Sequence, residues 1–137
     1  MRILGLDPGT ARLGVAISDA TGGMALPLEI IQRDDRGEDL RRVARIVTER
    51  GVEQIVVGLP LMLSGERGPA AEQMDKFISA LETTVGVEVV TWDERLSTAQ
   101  VDKALHLAGV SSRERRGRTD AAAAAVILQS YLDAHER

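Results

Sequence analysis

The chain contains no cysteine, which excludes disulfide staples, thiolate metal sites and cysteine nucleophiles. Aromatic side chains are nearly as scarce. Phe77, Trp92 and Tyr131 are the whole set, so the core has to be built from Val, Ile, Leu and Ala. No apolar run approaches the ~20 residues of a membrane-spanning helix. The opening "MRILGLD" lacks the length of a secretory leader. A cytoplasmic protein with no membrane partner is the expectation. Both histidines, His106 and His135, fall in or near helical patterns and read as surface residues rather than metal ligands. A strong charge of one sign is missing too: the net charge of −4 argues against a sequence-blind polyanion binder, although net charge hides distribution.

What is present suits one soluble domain spanning residues 1–137, with 44% hydrophobic and 28% charged residues. Residues 2–6 and 13–18 read as two short apolar strands, close enough for an antiparallel hairpin around "DPGT" (7–10). A Gly-rich turn at 21–24 leads to a third strand at 25–31, where Pro27 implies a sheet edge. The period then changes. Leu40, Val43, Ala44 and Val47 lie on one face of a helix that ends near Gly51. Residues 53–60 form a β-branched run of the kind covered on both faces. After a loop at 61–68, Pro69 opens a helix whose buried stripe is Met74, Phe77, Ile78 and Leu81.

A fifth strand, 87–92, precedes a capping box of Ser97 and Gln100. That box opens a helix with Val101, Ala104, Leu105 and Ala108 inward, closed by Gly109. An arginine-rich loop, "RERRGR" (113–118), follows, and Thr119 or Asp120 opens the last helix. Its inward side is Ala124, Ile127, Leu128, Tyr131 and Leu132, and "AAAAA" (121–125) reads as close helix packing. Three antiparallel strands followed by right-handed β-α-β crossovers make an α/β fold, a mixed five-stranded sheet with helices on both faces.

Sites in such sheets form at the carboxyl ends of the central strands. Asp7 ends the first strand, Asp93 and Glu94 end the fifth, and Asp120 can reach the same edge from the start of the last helix. Each has a local reading: an Asx-turn for Asp7, a helix cap for Asp120, a surface pair with Arg95 for Asp93-Glu94. Together they read as a cluster that needs neutralising by cations. Oxygen-only donors suit Mg²⁺ or Mn²⁺, and two such ions ~4 Å apart hydrolyse phosphodiesters without a protein nucleophile.

Four stretches, "LDPGTARLGVAISD" (6–19), "IVVGLPLMLSG" (55–65), "DERLST" (93–98) and "DAAAAAVILQSYL" (120–132), resemble in order the YqgF/RuvX family across nearly the whole chain. That resemblance implies a ribonuclease-H-like fold and a nuclease named for pre-16S ribosomal RNA or for Holliday junctions. It implies a catalytic and metal-binding set of Asp7, Glu94 and Asp120, with Glu94 preferred to Asp93. Asp7 is expected to bridge two ions, with Arg95 or Arg118 steadying the scissile phosphate. Gly9, Thr10, Arg12, Arg95, Thr98, Arg115, Arg116 and Arg118 are the expected substrate contacts, and Asp19 is a supporting residue of the first motif. Two departures stand out. Met62-Leu63 occupies a loop where the family often has a polar Asn, and arginines replace lysines before Asp120, keeping the charge and adding bidentate phosphate binding.

The expected partner is nucleic acid, structured RNA or branched DNA, including ribosomal precursor particles. Trimming an RNA end needs one site on a monomer or weak homodimer, whereas resolving a junction needs two sites facing it. An actin-like ATPase or sugar kinase would also use a Gly-rich hairpin after a first-strand Asp, but requires a second such domain. An RNA- or ribosome-binding module without cleavage gains nothing from three gathered carboxylates.

Overall fold

A computed structural model describes residues 1–59, 69–93 and 112–135, with side chains over 1–59, 72–93 and 121–135. Strands β1 (Arg2–Pro8), β2 (Arg12–Ser18) and β3 (Ala25–Gln32) form an antiparallel meander. Helix α1 (Glu38–Arg50) returns the chain to β4 (Val52–Leu59), and α2 (Pro69–Thr84) leads to β5 (Glu88–Asp93). Both new strands run parallel to β1, giving one sheet in the order β3-β2-β1-β4-β5. Helix α3 (Ser112–Ala134) is the last described element. The expected helix over 97–109 and the loop at 61–68 lie outside the described residues.

Side-chain alternation sorts the sheet into two faces. Leu4, Leu6, Leu13, Val15, Ile55 and Val57 join Val43, Ile46, Phe77 and Leu81 in the larger cluster, under α1 and α2. The opposite face carries Ile3, Ala16 and Val56 against Ala124, Ile127, Leu128 and Leu132 of α3. The inward stripes expected for α1, α2 and α3 are buried or half-buried, and the alanine run does pack closely. Its neighbours on the sheet are glycines. A Cβ on Gly5 would stand 2.8 Å from Leu128 Cβ and 3.0 Å from the Ala124 carbonyl, and one on Gly58 would stand 2.6 Å from Ile127 Cδ1. Small residues on both partners let the helix axis approach the sheet.

Pro27 lies on the edge strand, as its missing N–H requires. The β2–β3 register shifts between Val15 and Ala16, so that Leu28 bulges between Pro27 and Glu29. Gly51 ends α1 in the left-handed conformation, φ 65°, its N–H donating to the Val47 carbonyl.

Two boundaries differ from the sequence reading. The first strand continues through Asp7 to Pro8, so the turn is Gly9, Thr10 and Ala11 rather than residues 7–10. Residues 113–118 are not a loop: they form the first turns of α3, which opens at Ser112 and not at Thr119 or Asp120. Arginine and glutamate are good helix formers, and the single Gly117 costs only about 1 kcal/mol. Among the described residues no helix is long and apolar enough to cross a membrane.

Candidate active site

Asp7 is the penultimate residue of β1, half-buried and paired across the ladder with Gly14. It alternates with Gly5 and Ile3, so it stands on the face that α3 covers. Gly14 opposite it adds no side chain. Arg12, two residues before Gly14, shares that face of β2 and is Asp7's diagonal neighbour across the pair. Neither residue is without an interaction partner.

The direction of α3 brings Asp120 to the same edge. Met1 and Ile3 lie by Tyr131, Leu132 and His135, while Gly5 lies under Leu128 and Ala124. The helix therefore runs antiparallel to β1. From Gly5 to Asp7 the strand advances ~6.6 Å, and from Ala124 back to Asp120 the helix advances ~6 Å. The two positions keep step. Asp120 is also one turn before Ala124. It is the ninth residue of α3, too far from the first turn for the helix dipole to weaken its carboxylate as a ligand. The expectation of a helix-start carboxylate is corrected accordingly.

Asp93 ends β5 level with Leu59. It alternates with Val89, which packs on the α1–α2 side, whereas Val90 and Trp92 pack on the α3 side. Asp93 is thus on the face opposite Asp7. Glu94, Arg95 and Thr98 lie outside the described residues. Arg115, Arg116 and Arg118 occupy the first two turns of α3, upstream of Asp120 and beyond the Asp7 edge of the sheet. Among the described side chains, which include that of Asp7 but not those of Glu94 or Asp120, no three acidic or histidine groups gather to hold a metal.

Gly9 and Thr10 are exposed in the turn. The Gly9 N–H donates to the Arg12 carbonyl at 2.8 Å, and a Cβ at Gly9 would stand 2.9 Å from that oxygen. Glycine is required here by the turn itself. A residue that the sequence reading missed also holds this turn: Arg33 donates from Nη1 to the Gly9 carbonyl at 2.7 Å and from its N–H to the Ala11 carbonyl at 2.9 Å. The pairing spans 24 residues, and no local spacing announces it.

Asp19 is not brought to the site. It follows β2 at the opposite end of the sheet, where its Oδ1 accepts from Thr21 Oγ1 (2.8 Å), Gly23 N–H (3.0 Å) and Met24 N–H (3.4 Å). The Thr21 hydroxyl is the main cause of a carboxyl pKa below its ordinary value; desolvation opposes it, and the Gly23, Met24 and Gly22 backbone donors add to it. The folded value is depressed, so the stabilisation is whole above the unfolded pKa and is lost as pH falls through the folded one. Thr21→Val is expected to raise the Asp19 pKa toward the ordinary range, read by NMR titration of its carboxyl. Catalysis at neutral pH is expected to stay unchanged in that variant.

A mixed β-meander and β-α-β sheet, with a carboxylate at the end of its first strand and a closing helix laid across it, is a ribonuclease-H-like fold. The family model described as "RuvX: Holliday junction resolvase" matches residues 1–134. The chain belongs to that family, and with it to the hydrolases that cut phosphodiester bonds. Relatives carry the name "Putative pre-16S rRNA nuclease". One from Geobacillus kaustophilus is 50% identical, over 97% of this chain and 98% of its own length. Another, from Desulforudis audaxviator, is 45% identical over 99% and 96%. Among solved structures, RuvC of T. thermophilus in complex with Holliday junction substrate superposes with a TM-score of 0.61 at 18% identity, covering 98% of this chain and 94% of that one. The Fowlpox virus resolvase bound to Holliday junction DNA gives 0.57 at 17%, over the whole of both chains. At such identities the likeness is one of fold.

Proposed function

We propose that this chain is a divalent-metal-dependent nuclease of one domain that processes the 5′ end of pre-16S ribosomal RNA, acting in the cytoplasm as a monomer or weak homodimer. The observation that carries the reading is the antiparallel course of α3 over β1, which supports Asp120 as a partner of Asp7 at that sheet edge. Asp93 ends β5 on the face opposite Asp7, which supports Glu94, the residue the family resemblance prefers, as the third carboxylate.

The donor set fits a hard cation: oxygen ligands only, no thiolate in the chain, and Asp7 half-buried rather than sunk in the apolar core. Asp7, Glu94 and Asp120 would hold Mg²⁺ or Mn²⁺. When bound, such ions supply an activated water and stabilise the leaving oxygen. The chain's own work is orientation. Arg12, beside Asp7, and the guanidinium groups of Arg115, Arg116 and Arg118 draw the phosphate backbone toward the edge, with Arg95 and Thr98 completing the contacts. The exposed Gly9–Thr10 turn leaves room for that backbone.

A second reading, junction resolution, is favoured by the description of the matching family model. Both are tested by incubating the protein with a precursor ribosomal RNA end and with a four-way DNA junction, with Mg²⁺, with Mn²⁺ and with a chelator. Cleavage of the RNA alone, abolished by the chelator, is the expected outcome. Symmetric paired nicks in the junction would transfer the reading to a resolvase. Binding of RNA without any cut would leave a non-catalytic module, and cutting that survives the chelator would remove the metal assignment.

A further inference from the structure

The turn beside Asp7 is gripped from behind. Arg33 follows β3 and its side chain spans three elements at once. Its Nη1 donates to the Gly9 carbonyl (2.7 Å), its Nε donates to Asp39 Oδ2 in α1 (3.2 Å), and its guanidinium carbon lies 4.9 Å from the centre of the Phe77 ring in α2. Asp39 is only 4% exposed. An acid so placed needs partners, and the Leu40 N–H (2.8 Å), the Asp34 N–H (3.4 Å) and Arg33 supply them. Its Oδ2 thus ties Arg33 to the first turn of α1, where no side chain caps the helix.

The direction of the grip matters. Asp39 and Phe77 belong to the helices on the face opposite α3, and Asp7 stands on the α3 face. The Gly9–Ala11 turn is therefore fastened from one side of the sheet and left open on the other. With Nε and Nη1 committed to Asp39 and Gly9, Arg33 is spent on the turn instead of being offered to a polyanion. A carboxylate of α1, a ring of α2 and the carbonyl of the turn fix its fork.

Resting on the nuclease reading above, we infer that the Arg33–Asp39 pair is a positioning device for that reaction: it sets the Gly9–Thr10 turn against Asp7 so that the phosphate and the carboxylate are aligned. A positioning residue acts on turnover rather than on affinity. Small misplacements of reacting groups cost up to about 10²-fold in rate.

The test combines amide exchange with kinetics on Arg33→Ala, Arg33→Lys and Asp39→Asn. As a control, Arg42→Ala removes the two-point Arg42–Glu29 pair (3.0 and 2.7 Å), which does not reach the turn. In Arg33→Ala the Gly9 amide is expected to exchange about tenfold faster or more, as loss of a charge-assisted hydrogen bond implies, with Leu4 and Leu6 unchanged. Turnover is expected to fall about 10²-fold with KM little altered. Arg33→Lys is expected to match Arg33→Ala, because a single ammonium cannot hold Asp39 and Gly9 together. Asp39→Asn keeps the packing and is expected to loosen Gly9 as well, which decides the matter if Arg33→Ala does not fold. Arg42→Ala is expected to leave Gly9 untouched.

Unchanged Gly9 exchange with a raised KM would make Arg33 a substrate contact and overturn the inference, as would full restoration by Arg33→Lys. If the wild-type protein cuts neither RNA nor junction, the nuclease reading fails by itself. Gly9 exchange still reports whether the clamp exists.

Discussion

Asp7→Asn is expected to lower metal-dependent cleavage about 10³-fold or more, since a bound cation supplies several kcal/mol of charge stabilisation and each 1.36 kcal/mol is a factor of ten. The substitution is isosteric and falls at the end of a ladder, outside both apolar clusters. Melting followed by circular dichroism is expected to stay within a few degrees of wild type. The comparison separates chemistry from folding: activity lost with the melt preserved assigns Asp7 to the reaction, and activity retained removes it from the site. The half-buried setting beneath α3 explains the size of the effect. A carboxylate there meets a cation with less competing water than one on the open surface, so the exchange of O⁻ for NH₂ is felt strongly.

The second large effect is structural. Gly5→Ala is expected to destabilise the protein by about 3 kcal/mol, the upper range for overpacking a tight core, and to lower the melting temperature by about 10 °C. The added methyl would meet Leu128 Cβ at 2.8 Å and the Ala124 carbonyl at 3.0 Å. Neither can rotate away, because one is fixed to the helix backbone and the other is part of it. Gly58→Ala makes the instructive comparison. Its nearest obstacle is Ile127 Cδ1 at 2.6 Å, the far end of a side chain with other rotamers, and a cost under about 1 kcal/mol is expected. Equal losses in the two variants, measured by urea unfolding, would refute this account of the α3 seam. Gly5→Ala is also expected to depress cleavage more than its stability loss explains at temperatures where it is folded, because α3 carries Asp120.

Much of this was legible in the chain. The two periodicities placed the strands and α1 and α2, Pro27 announced the edge, and the alanine run announced close packing. These are local signals and need no knowledge of the rest of the molecule. The start of α3 was not legible, because Gly117 followed by Thr119-Asp120 imitates a helix opening while the arginines before it are equally good inside a helix. Asp39 reads as a first-turn acid and becomes a buried anchor only because Arg33 and α2 close over it. Asp19 sits in the same motif as Asp7 and so invites the same role. Antiparallel pairing then sends it to the other end of the sheet, since β2 runs back along β1. Of the site itself, Asp7 and the side of the sheet it serves follow from alternation. The antiparallel course of α3 over β1, on which the proposed role of Asp120 rests, is a tertiary fact.

The seam between α3 and the sheet also bears on how such a chain can change over generations. At position 58 a larger residue has an available remedy, since Ile127→Val removes the obstructing Cδ1 and leaves the next atom, Cγ1, at 3.5 Å. Position 5 has no such partner. The obstructing atoms there are a backbone oxygen and a Cβ, present whatever side chain position 124 carries and for every residue but glycine at position 128. A glycine in the middle of α3 would itself cost about 1 kcal/mol. Drift can thus trade volume across one crossing of the helix and is closed at the other, the crossing that lies one step from Asp7.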